Sequence, residues 1–289
     1  MGAYALYKIN WHRETILLCQ DLSNMKYSTT YPITASQMDG NYRLTVDGIL
    51  SFHENTVARY LTSLGLAAFD MQKQDKTWII SEINLEMPGL PAIWTEDITV
   101  TVWISEMSSL RIWFEFTAVE LHTGRLAARG NSCWSLISMS ERKPVSCEGI
   151  IPQNEPVDEL AIGPHRRRKT QASSEFELHS LGHTINLIDL DFNGHTNNRR
   201  YIQMALVCFD QEFIETHRPD CLSIRFMHES RMGDSIMNHT YPTDEPDTYI
   251  GITTNGLGQE LCRVTSHWRE KEPLPDIAEF NYIRNDTGK

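Results

Sequence analysis

Two stretches of this chain, 134 residues apart, carry the same pattern, and this repeat constrains the fold more than any other feature of the sequence. Residues 124–134 read GRLAARGNSCW and residues 258–268 read GQELCRVTSHW. The identical positions are Gly124 and Gly258, Arg129 and Arg263, Ser132 and Ser266, and Trp134 and Trp268. Strand-like alternation precedes the first stretch, and an Asn255-Gly256 hairpin signal precedes the second. The chain is therefore expected to contain one structural unit twice.

Each half also has one helix candidate upstream of its strands. In the first half, Ser51 and Glu54 form a capping-box pattern that predicts a helix start. The apolar stripe after it consists of Val57, Leu61, Leu64 and Ala68. In the second half, Asn197 or Asn198 can cap a helix. Its apolar stripe consists of Ile202, Ala205, Leu206, Phe209 and Phe213. A helix followed by antiparallel strands, occurring twice, predicts the α+β class.

The length of the chain, 289 residues, suits one large domain or two modest ones. Residues 139–174 are rich in proline, glycine, serine and clustered charge, which is typical of a connection rather than a core. With the duplication, this predicts a first domain over residues 1–145, a linker over 146–174 and a second domain over 175–289. Residues 1–25 fit either a tail or an edge strand.

Bulk properties exclude several classes of function. Lysine and arginine number 26 against 38 acidic residues, so the formal net charge of −12 argues against nucleic acid as a partner. No segment approaches the roughly 20 apolar residues that span a bilayer, and the N-terminal sequence has no secretory apolar region. We therefore expect a cytoplasmic protein without a membrane partner. The six cysteines show no zinc spacing. Cys133, Cys208 and Cys262 lie among apolar residues and are expected to be reduced core thiols.

The segment LIDLDFNGHTNNRRYIQMAL, residues 187–206, carries the strongest chemical signal. On an extended strand, Asp191, Asn193 and His195 would point to one side and converge. The helix start that follows offers free N–H groups and a partial positive charge, which suit a carbonyl oxygen that gains negative charge. This combination predicts a site for attack on an acyl group. The alternative is an Asx-rich turn that only caps the helix.

This segment resembles the signature of acyl-acyl-carrier-protein thioesterases, Asp-x-Asn-x-His-x-Asn-Asn followed by a tyrosine-bearing helix. Similar stretches occur at residues 77–104, 130–145 and 224–236. The resemblance implies two fused hotdog domains, each a long helix wrapped by an antiparallel sheet. It implies hydrolysis of fatty acyl-acyl-carrier protein, with release of free fatty acid and with no metal or cofactor. The implied partners are an acidic acyl carrier protein and the fatty acyl chain.

The resemblance places the functional positions of the family at Asp191, Asn193, His195 and Glu229. We expect Asn193 and the helix N–H groups to hold the oxyanion, and Glu229 with His195 to activate water. Asp191 would fix its neighbours, although the sequence leaves open whether Asp191 or Glu229 is the base. Plant members have a cysteine after this glutamate, whereas this chain has Ser230, which favours direct attack by water.

Aligning Arg59-Tyr60 with Arg200-Tyr201 places Phe52 opposite Asn193 and Glu54 opposite His195. The first half would then lack the catalytic groups and would be free to supply the acyl pocket. The sequence leaves open whether the chain is a monomer or a homodimer.

Two basic clusters are candidates for docking a carrier protein. The run Arg166–Lys169 fits either this role or a solvated linker, and Arg199 and Arg200 lie beside the predicted site. An acyl-CoA thioesterase and a hotdog enoyl-thioester hydratase or dehydratase are alternative functions. A third alternative is a binding module that senses acyl thioesters without releasing thiol.

Overall fold

The two halves of the chain repeat one order of elements in the computed structural model, which describes residues 26–94, 96–151, 156–163, 165, 170–173 and 175–276. The first half consists of β1 (Lys26–Pro32), a 3-10 helix (Ala35–Gln37), α1 (Val46–Ser63), α2 (Ala68–Gln72), β2 (Lys76–Glu86), β3 (Asp97–Met107), β4 (Ile112–Glu120), β5 (Leu126–Ser138) and β6 (Pro144–Val145). The second half consists of β7 (His179–Thr184), a 3-10 helix (Leu187–Asp189), α3 (Asn198–Leu206), α4 (Gln211–Thr216), β8 (His217–Phe226), β9 (Ser235–Pro242), β10 (Thr248–Asn255) and β11 (Glu260–Glu270). Apart from the short β6, each element of the first half has a counterpart in the second.

One antiparallel sheet runs through both halves, with the strand order β1-β3-β4-β5-β2-β8-β11-β10-β9-β7 over the described residues. The order in the second half is therefore the mirror image of that in the first. β2 and β8 pair across the junction, from Glu82 opposite Arg225 to Glu86 opposite Cys221. Helices α1 and α3 lie against the sheet of their own halves. The predicted α+β class, with two fused hotdog domains, is confirmed.

Helix α1 begins at Val46, upstream of the predicted capping box at Ser51 and Glu54, so that predicted start is wrong. The N-cap is Thr45, whose Oγ1 accepts a hydrogen bond from the N–H of Gly48 at 3.1 Å. A single threonine without a glutamate at the third helical position is a weaker signal than the serine and glutamate inside the helix. The two patterns compete in the sequence, and the weaker pattern is the one that the chain uses.

Both helices are also shorter than their apolar stripes indicate. Gly65, with φ of 73°, redirects the chain after α1, so Ala68 belongs to the separate helix α2. In the second half, Asp210 caps α4 by accepting a hydrogen bond from the N–H of Phe213 at 2.8 Å. Phe209 therefore lies between two helices, where its ring packs edge-on against the ring of Trp268.

Part of the predicted linker lies along the sheet of the first half. The N–H of Val157 donates to the carbonyl oxygen of Ile104 at 2.8 Å, and the indole N–H of Trp103 donates to the carbonyl oxygen of Glu159 at 2.8 Å. We call residues 156–163 and 165 the linker strap. The domain boundaries given above stay a prediction.

Three of the described cysteines, Cys133, Cys208 and Cys262, are buried and unpaired, which confirms them as core thiols. Over the residues that the structure describes, no helix combines the length and the apolar character that crossing a membrane requires. Residues 1–25, whose role the sequence leaves open, lie outside the described residues.

Candidate active site

The loop that carries the predicted site residues is a tight turn. Gly194 has φ of 74°, a left-handed conformation that favours glycine. Oδ1 of Asp191 accepts hydrogen bonds from the N–H of Asn193 at 2.8 Å and from the N–H of His195 at 3.1 Å. The prediction that these three side chains share one side of an extended strand is therefore wrong. The Asp191 carboxylate instead folds the backbone around itself, as aspartate does in Asx turns.

The start of helix α3 lies directly after this turn. The side chain of Asn197 accepts a hydrogen bond from the N–H of Arg199 at 2.9 Å, and its carbonyl oxygen accepts one from the N–H of Arg200 at 2.9 Å. The predicted cap at Asn197 is confirmed. These two N–H groups are therefore engaged within the chain, and the expectation that free helix N–H groups would hold an oxyanion fails at both positions.

The amide of Asn193 is oriented by a residue of the first half. Nε2 of Gln72 donates a hydrogen bond to Oδ1 of Asn193 at 3.1 Å. Since Oδ1 accepts this bond, Nδ2 is the end of the amide that can donate to a ligand. Nδ2 lies 3.5 Å from Oδ2 of Asp191, a long contact that leaves it a second hydrogen to donate.

The imidazole of His195 lies between the carboxylate of Glu229 and the guanidinium of Arg231. Its Nε2 is 3.3 Å from Oε2 of Glu229 and 3.3 Å from Nη2 of Arg231. A protonated Nε2 can donate to the glutamate, whereas an unprotonated Nε2 can accept from the arginine. The imidazole therefore has a partner in each of its protonation states, which suits a group that takes up and returns a proton. The His195 side chain is 18% exposed, so solvent reaches it.

A residue of the first half contacts Glu229 as well. The guanidinium of Arg142 forms an ion pair with Oε2 of Glu229, the same oxygen that faces His195. Arg142 has φ of 57° and lies in the turn between β5 and β6. Both contacts fall on Oε2, so Oε1 is the oxygen of Glu229 that can receive a proton from water.

Ser230 points away from this cluster and is buried. Its Oγ lies 2.8 Å from Oγ1 of Thr196 and 2.6 Å from the hydroxyl of Tyr201. Its N–H donates to that same tyrosine hydroxyl at 2.9 Å. A serine that is held in this way is a structural bridge between its loop and helix α3, not an exposed nucleophile.

The first half contains a turn of the same geometry, which we call the twin turn, residues 39–45. Oδ1 of Asp39 accepts hydrogen bonds from the N–H of Asn41 at 2.9 Å and from the N–H of Arg43 at 3.0 Å. Tyr42 has φ of 58° where the second half has Gly194. Asp39, Asn41 and Arg43 therefore correspond to Asp191, Asn193 and His195.

This correspondence corrects the alignment made from the sequence. Phe52 is not the counterpart of Asn193, and Glu54 is not that of His195, because both lie inside helix α1. The Arg-Tyr pair misled the alignment, because α1 and α3 differ in length. The first half keeps the aspartate and the asparagine but has arginine in place of histidine.

We call residues 191–197 the catalytic turn, after its predicted role. The surface around it differs from that around the twin turn. Leu187, Ile188 and Phe192 are 72%, 73% and 75% exposed, and we call these three residues the apolar rim. The equivalent positions in the first half are Ala35, Ser36 and Gly40. Exposed apolar side chains that are grouped on one surface often mark an interaction site, whereas single ones are common. The rim is therefore a feature of the half that has the histidine.

Arg200, in the first turn of helix α3, lies beside the rim, and Arg199 precedes it. Nη2 of Arg200 donates to the carbonyl oxygen of Ile188 at 3.1 Å, and Nε of Arg199 lies 3.7 Å from Oδ1 of Asp47. The other predicted docking cluster, Arg166–Lys169, lies outside the described residues. No group of histidine, cysteine and acidic side chains that could hold a metal ion occurs within the described part of the chain.

Reasoning from the sequence missed two residues that the structure brings to the cluster, Gln72 and Arg142. Each contacts a predicted site residue from the other half of the chain. A weak signal existed for Arg142, since it belongs to the basic segment before Pro144 that resembles the acyl-acyl-carrier-protein thioesterases. Nothing in the sequence around Gln72 marks it.

Known sequence families match nearly the whole described chain. Residues 24–151 match the acyl-ACP thioesterase N-terminal domain, and residues 171–270 match the acyl-ACP thioesterase C-terminal domain. Oleoyl-acyl carrier protein thioesterase 1, chloroplastic, from Arabidopsis thaliana is 22% identical over 86% of this chain and 77% of its own length. For other plant relatives the share of their own length falls to 61%.

Solved structures agree with the fold described above. The 12:0-ACP thioesterase from Umbellularia californica superposes with a TM-score of 0.76 at 17% identity, over 86% of this chain and 98% of the other. An acyl-ACP thioesterase from Bacteroides thetaiotaomicron superposes with a TM-score of 0.75 at 20% identity, over 86% and 99%. The tandem hotdog architecture is therefore shared with solved proteins.

Proposed function

Because the chain belongs to the acyl-ACP thioesterase family of thioester hydrolases, we propose that it hydrolyses fatty acyl-acyl-carrier protein to free fatty acid and carrier-protein thiol, at a site made of Asp191, Asn193, His195 and Glu229. The observation that carries the proposal is the cluster itself. The turn presents the amide of Asn193 and the imidazole of His195, and the imidazole lies 3.3 Å from the carboxylate of Glu229.

The chemistry proceeds by direct attack of water on the thioester carbonyl carbon. Oε1 of Glu229 takes a proton from the water as the new C–O bond forms. Nδ2 of Asn193 donates to the carbonyl oxygen, which gains negative charge in the tetrahedral intermediate. When the C–S bond breaks, the leaving thiolate takes a proton from His195, and Glu229 returns a proton to the imidazole. Asp191 acts through the backbone, since its carboxylate already accepts two N–H groups.

The carrier protein is proposed to dock on the apolar rim, with the neighbouring arginines facing its acidic surface. An exposed apolar patch beside cations suits a partner that carries both apolar and acidic groups. The Ile188→Asp variant should raise KM for acyl-carrier protein about 10-fold, because interface contacts of this kind are worth over 1 kcal/mol each. KM for the matching acyl-CoA should rise much less. Ser36→Asp, at the equivalent position of the first half, is the matched control.

A free-thiol assay on long- and medium-chain acyl-carrier protein, on the matching acyl-CoA and on an enoyl thioester tests the proposal. Thiol release with preference for the carrier-bound substrate is the expected result. A preference for acyl-CoA by an order of magnitude would overturn the carrier protein as partner. Hydration of the enoyl thioester without thiol release would overturn hydrolysis, and tight binding without any turnover would favour a sensing module. A cytoplasmic location is part of the proposal.

A further inference from the structure

We infer that the first half of the chain completes the active site of the second, with Arg142 and Gln72 as positioning residues for Glu229 and Asn193. This inference rests on the proposed function and concerns the residues that prepare its catalytic groups. Arg142 and Gln72 are far from the catalytic turn in sequence and belong to different elements, the β5–β6 turn and helix α2.

One aspartate fixes both elements. Oδ2 of Asp75 accepts hydrogen bonds from Oγ of Ser138 at 2.8 Å and from Oγ of Ser140 at 2.5 Å. The N–H of Asp75 donates to the carbonyl oxygen of Gln72 at 3.1 Å. Hydrogen bonds from Ser140 and Ser138 hold the pKa of Asp75 below its ordinary value, so the Asp75 carboxylate is ionised at neutral pH. We call Asp75, Ser138 and Ser140 the Asp75 clamp.

The clamp determines where Arg142 lies. The N–H of Arg142 donates to the carbonyl oxygen of Ser138 at 3.0 Å, and the N–H of Ser138 donates to the carbonyl oxygen of Lys143 at 2.9 Å. The turn is thereby closed on both sides, and it directs the Arg142 side chain towards Glu229. The guanidinium occupies Oε2 of Glu229 and keeps the carboxylate in one rotamer, with Oε1 free for water.

Gln72 performs the corresponding task for the oxyanion donor. An asparagine amide can face its site with either its oxygen or its nitrogen. Because Nε2 of Gln72 donates to Oδ1 of Asn193, the nitrogen is the end that faces a thioester oxygen. If the amide were reversed, it would present an acceptor to the growing negative charge and oppose the reaction.

The twin turn is contacted by the corresponding segment of the other half, but it lacks the proposed catalytic groups. The chain after β11, which corresponds to the chain after β5, reaches the twin turn of the first half. There the side chain of Asn41 donates to the carbonyl oxygen of Glu272 at 3.1 Å, and Nη2 of Arg43 donates to the carbonyl oxygen of Pro273 at 3.2 Å. Backbone carbonyl groups thus cover the twin turn, whereas the second half receives a charged side chain at the same place.

The test compares steady-state kinetics of the full chain on acyl-carrier protein. Arg142→Ala should lower kcat roughly 30-fold with little change in KM, the scale for a misplaced catalytic group. Arg142→Lys should recover part of the loss, and added guanidinium chloride should rescue the alanine variant. Lys143→Ala removes the neighbouring exposed cation and should behave as wild type. Equal losses in the lysine and alanine variants, without guanidinium rescue, would overturn the role of Arg142.

Gln72 is tested by reversing the polarity of its side chain. Gln72→Glu presents only acceptors to Asn193, so it should lower kcat more than Gln72→Ala does. If Gln72→Ala lowers kcat more than Gln72→Glu does, the amide of Asn193 is not oriented by Gln72. Unfolding midpoints and circular dichroism identify a variant that fails to fold, in which case Asp75→Asn is used to loosen the turn. Wild-type protein without thiol release contradicts the proposed function, whereas active wild type with unaffected Arg142 and Gln72 variants contradicts this inference alone.

Discussion

The hydroxyl of Tyr201 lies 2.6 Å from Oγ of Ser230, and the N–H of Ser230 donates back to that hydroxyl at 2.9 Å. Both residues are buried, and burial raises the pKa of Tyr201, so its hydroxyl stays protonated at neutral pH. The pair joins the segment after β8 that carries Glu229 to helix α3, which follows the catalytic turn. Ser230 therefore has a structural role.

Ser230→Ala should therefore affect stability more than catalysis. Removing the hydroxyl leaves Tyr201 and Thr196 without one partner each, which should cost about 1–2 kcal/mol of unfolding free energy. Turnover should stay within about threefold of wild type, since no catalytic group is lost. Urea unfolding and the free-thiol assay measure the two effects. If this variant is as inactive as His195→Ala, water is not the direct nucleophile.

Substitutions at the catalytic turn should separate chemistry from architecture. His195→Ala and Asn193→Ala should each lower turnover roughly 100-fold, the scale for losing an acid–base or oxyanion group. Asp191→Ala should lower it as much and should also lower the unfolding midpoint, because two N–H groups lose their acceptor.

Asp191→Asn identifies the base. It keeps an oxygen at Oδ1, so it should retain much more activity than Asp191→Ala if the role is structural. An asparagine variant as inactive as the alanine variant would make Asp191, not Glu229, the general base.

Glu54 should make stability depend on pH. Its buried Oε1 has no hydrogen-bond partner among the described residues, and burial, opposed by Arg199 and reinforced by Asp47, raises its pKa to about 7. The carboxyl is neutral in both states below its ordinary pKa. Between its ordinary pKa and about pH 7, Glu54 is ionised in the unfolded chain but still neutral in the folded protein. The free energy of unfolding therefore falls as the pH rises through this range.

Glu54→Gln should remove this loss. The variant should gain roughly 2–3 kcal/mol relative to wild type at about pH 8, and much less at about pH 5. Urea unfolding at the two pH values measures the difference. The same gain at both would mean that Glu54 is ionised in the folded protein throughout this range.

His165 should fix the linker strap to the sheet. Its Nε2 lies 2.6 Å from Oε1 of the fully buried Glu115, which also accepts from Oγ of Ser105 at 2.9 Å and from the N–H of Ala161 at 2.9 Å. His165→Ala leaves this carboxylate with one partner fewer, at a cost of about 3 kcal/mol. A double-mutant cycle with Glu115→Gln should recover part of the cost. Glu106→Gln, at the exposed end of the same imidazole, is the control and should cost under about 1 kcal/mol.

The acyl tail is predicted to lie in the first half. Ala67 is buried at the start of α2, so Ala67→Phe should shorten the preferred acyl chain. Each methylene contact that is lost removes about 0.8 kcal/mol. Chain-length profiles of folded variants measure the shift, and an unchanged profile would place the pocket elsewhere.

Much of the fold could be predicted because the duplication is visible in short stretches of the sequence. The Gly, Arg, Ser and Trp matches mark β5 and β11, which have the same place in each half. Helix limits were less predictable, because Gly65 and Asp210 interrupt apolar stripes that continue past them. Local signals of this kind compete, and tertiary packing decides between them.

Only the part of the candidate site that belongs to the second half of the chain was predictable. The order Asp191, Asn193, His195 is local, and the same order in Asp39, Asn41 and Arg43 was available to an alignment that ignored the Arg-Tyr pair. Arg142 was not, because its position depends on a left-handed turn and on an ion pair across 87 residues of chain. Contacts of that range follow from the packed fold and not from any window of sequence.

The covalent union of two like units has a consequence for how such a protein can change over generations. In a symmetric pair of separate chains, one codon specifies both sites, so each substitution appears twice. Once one polypeptide carries both units, whose strands β2 and β8 pair across the junction, each codon specifies one site. Arg43 can then differ from its counterpart His195, and Leu187, Ile188 and Phe192 can be present on one surface only, without any change in the other unit. In a single chain, selection can therefore act on each half independently.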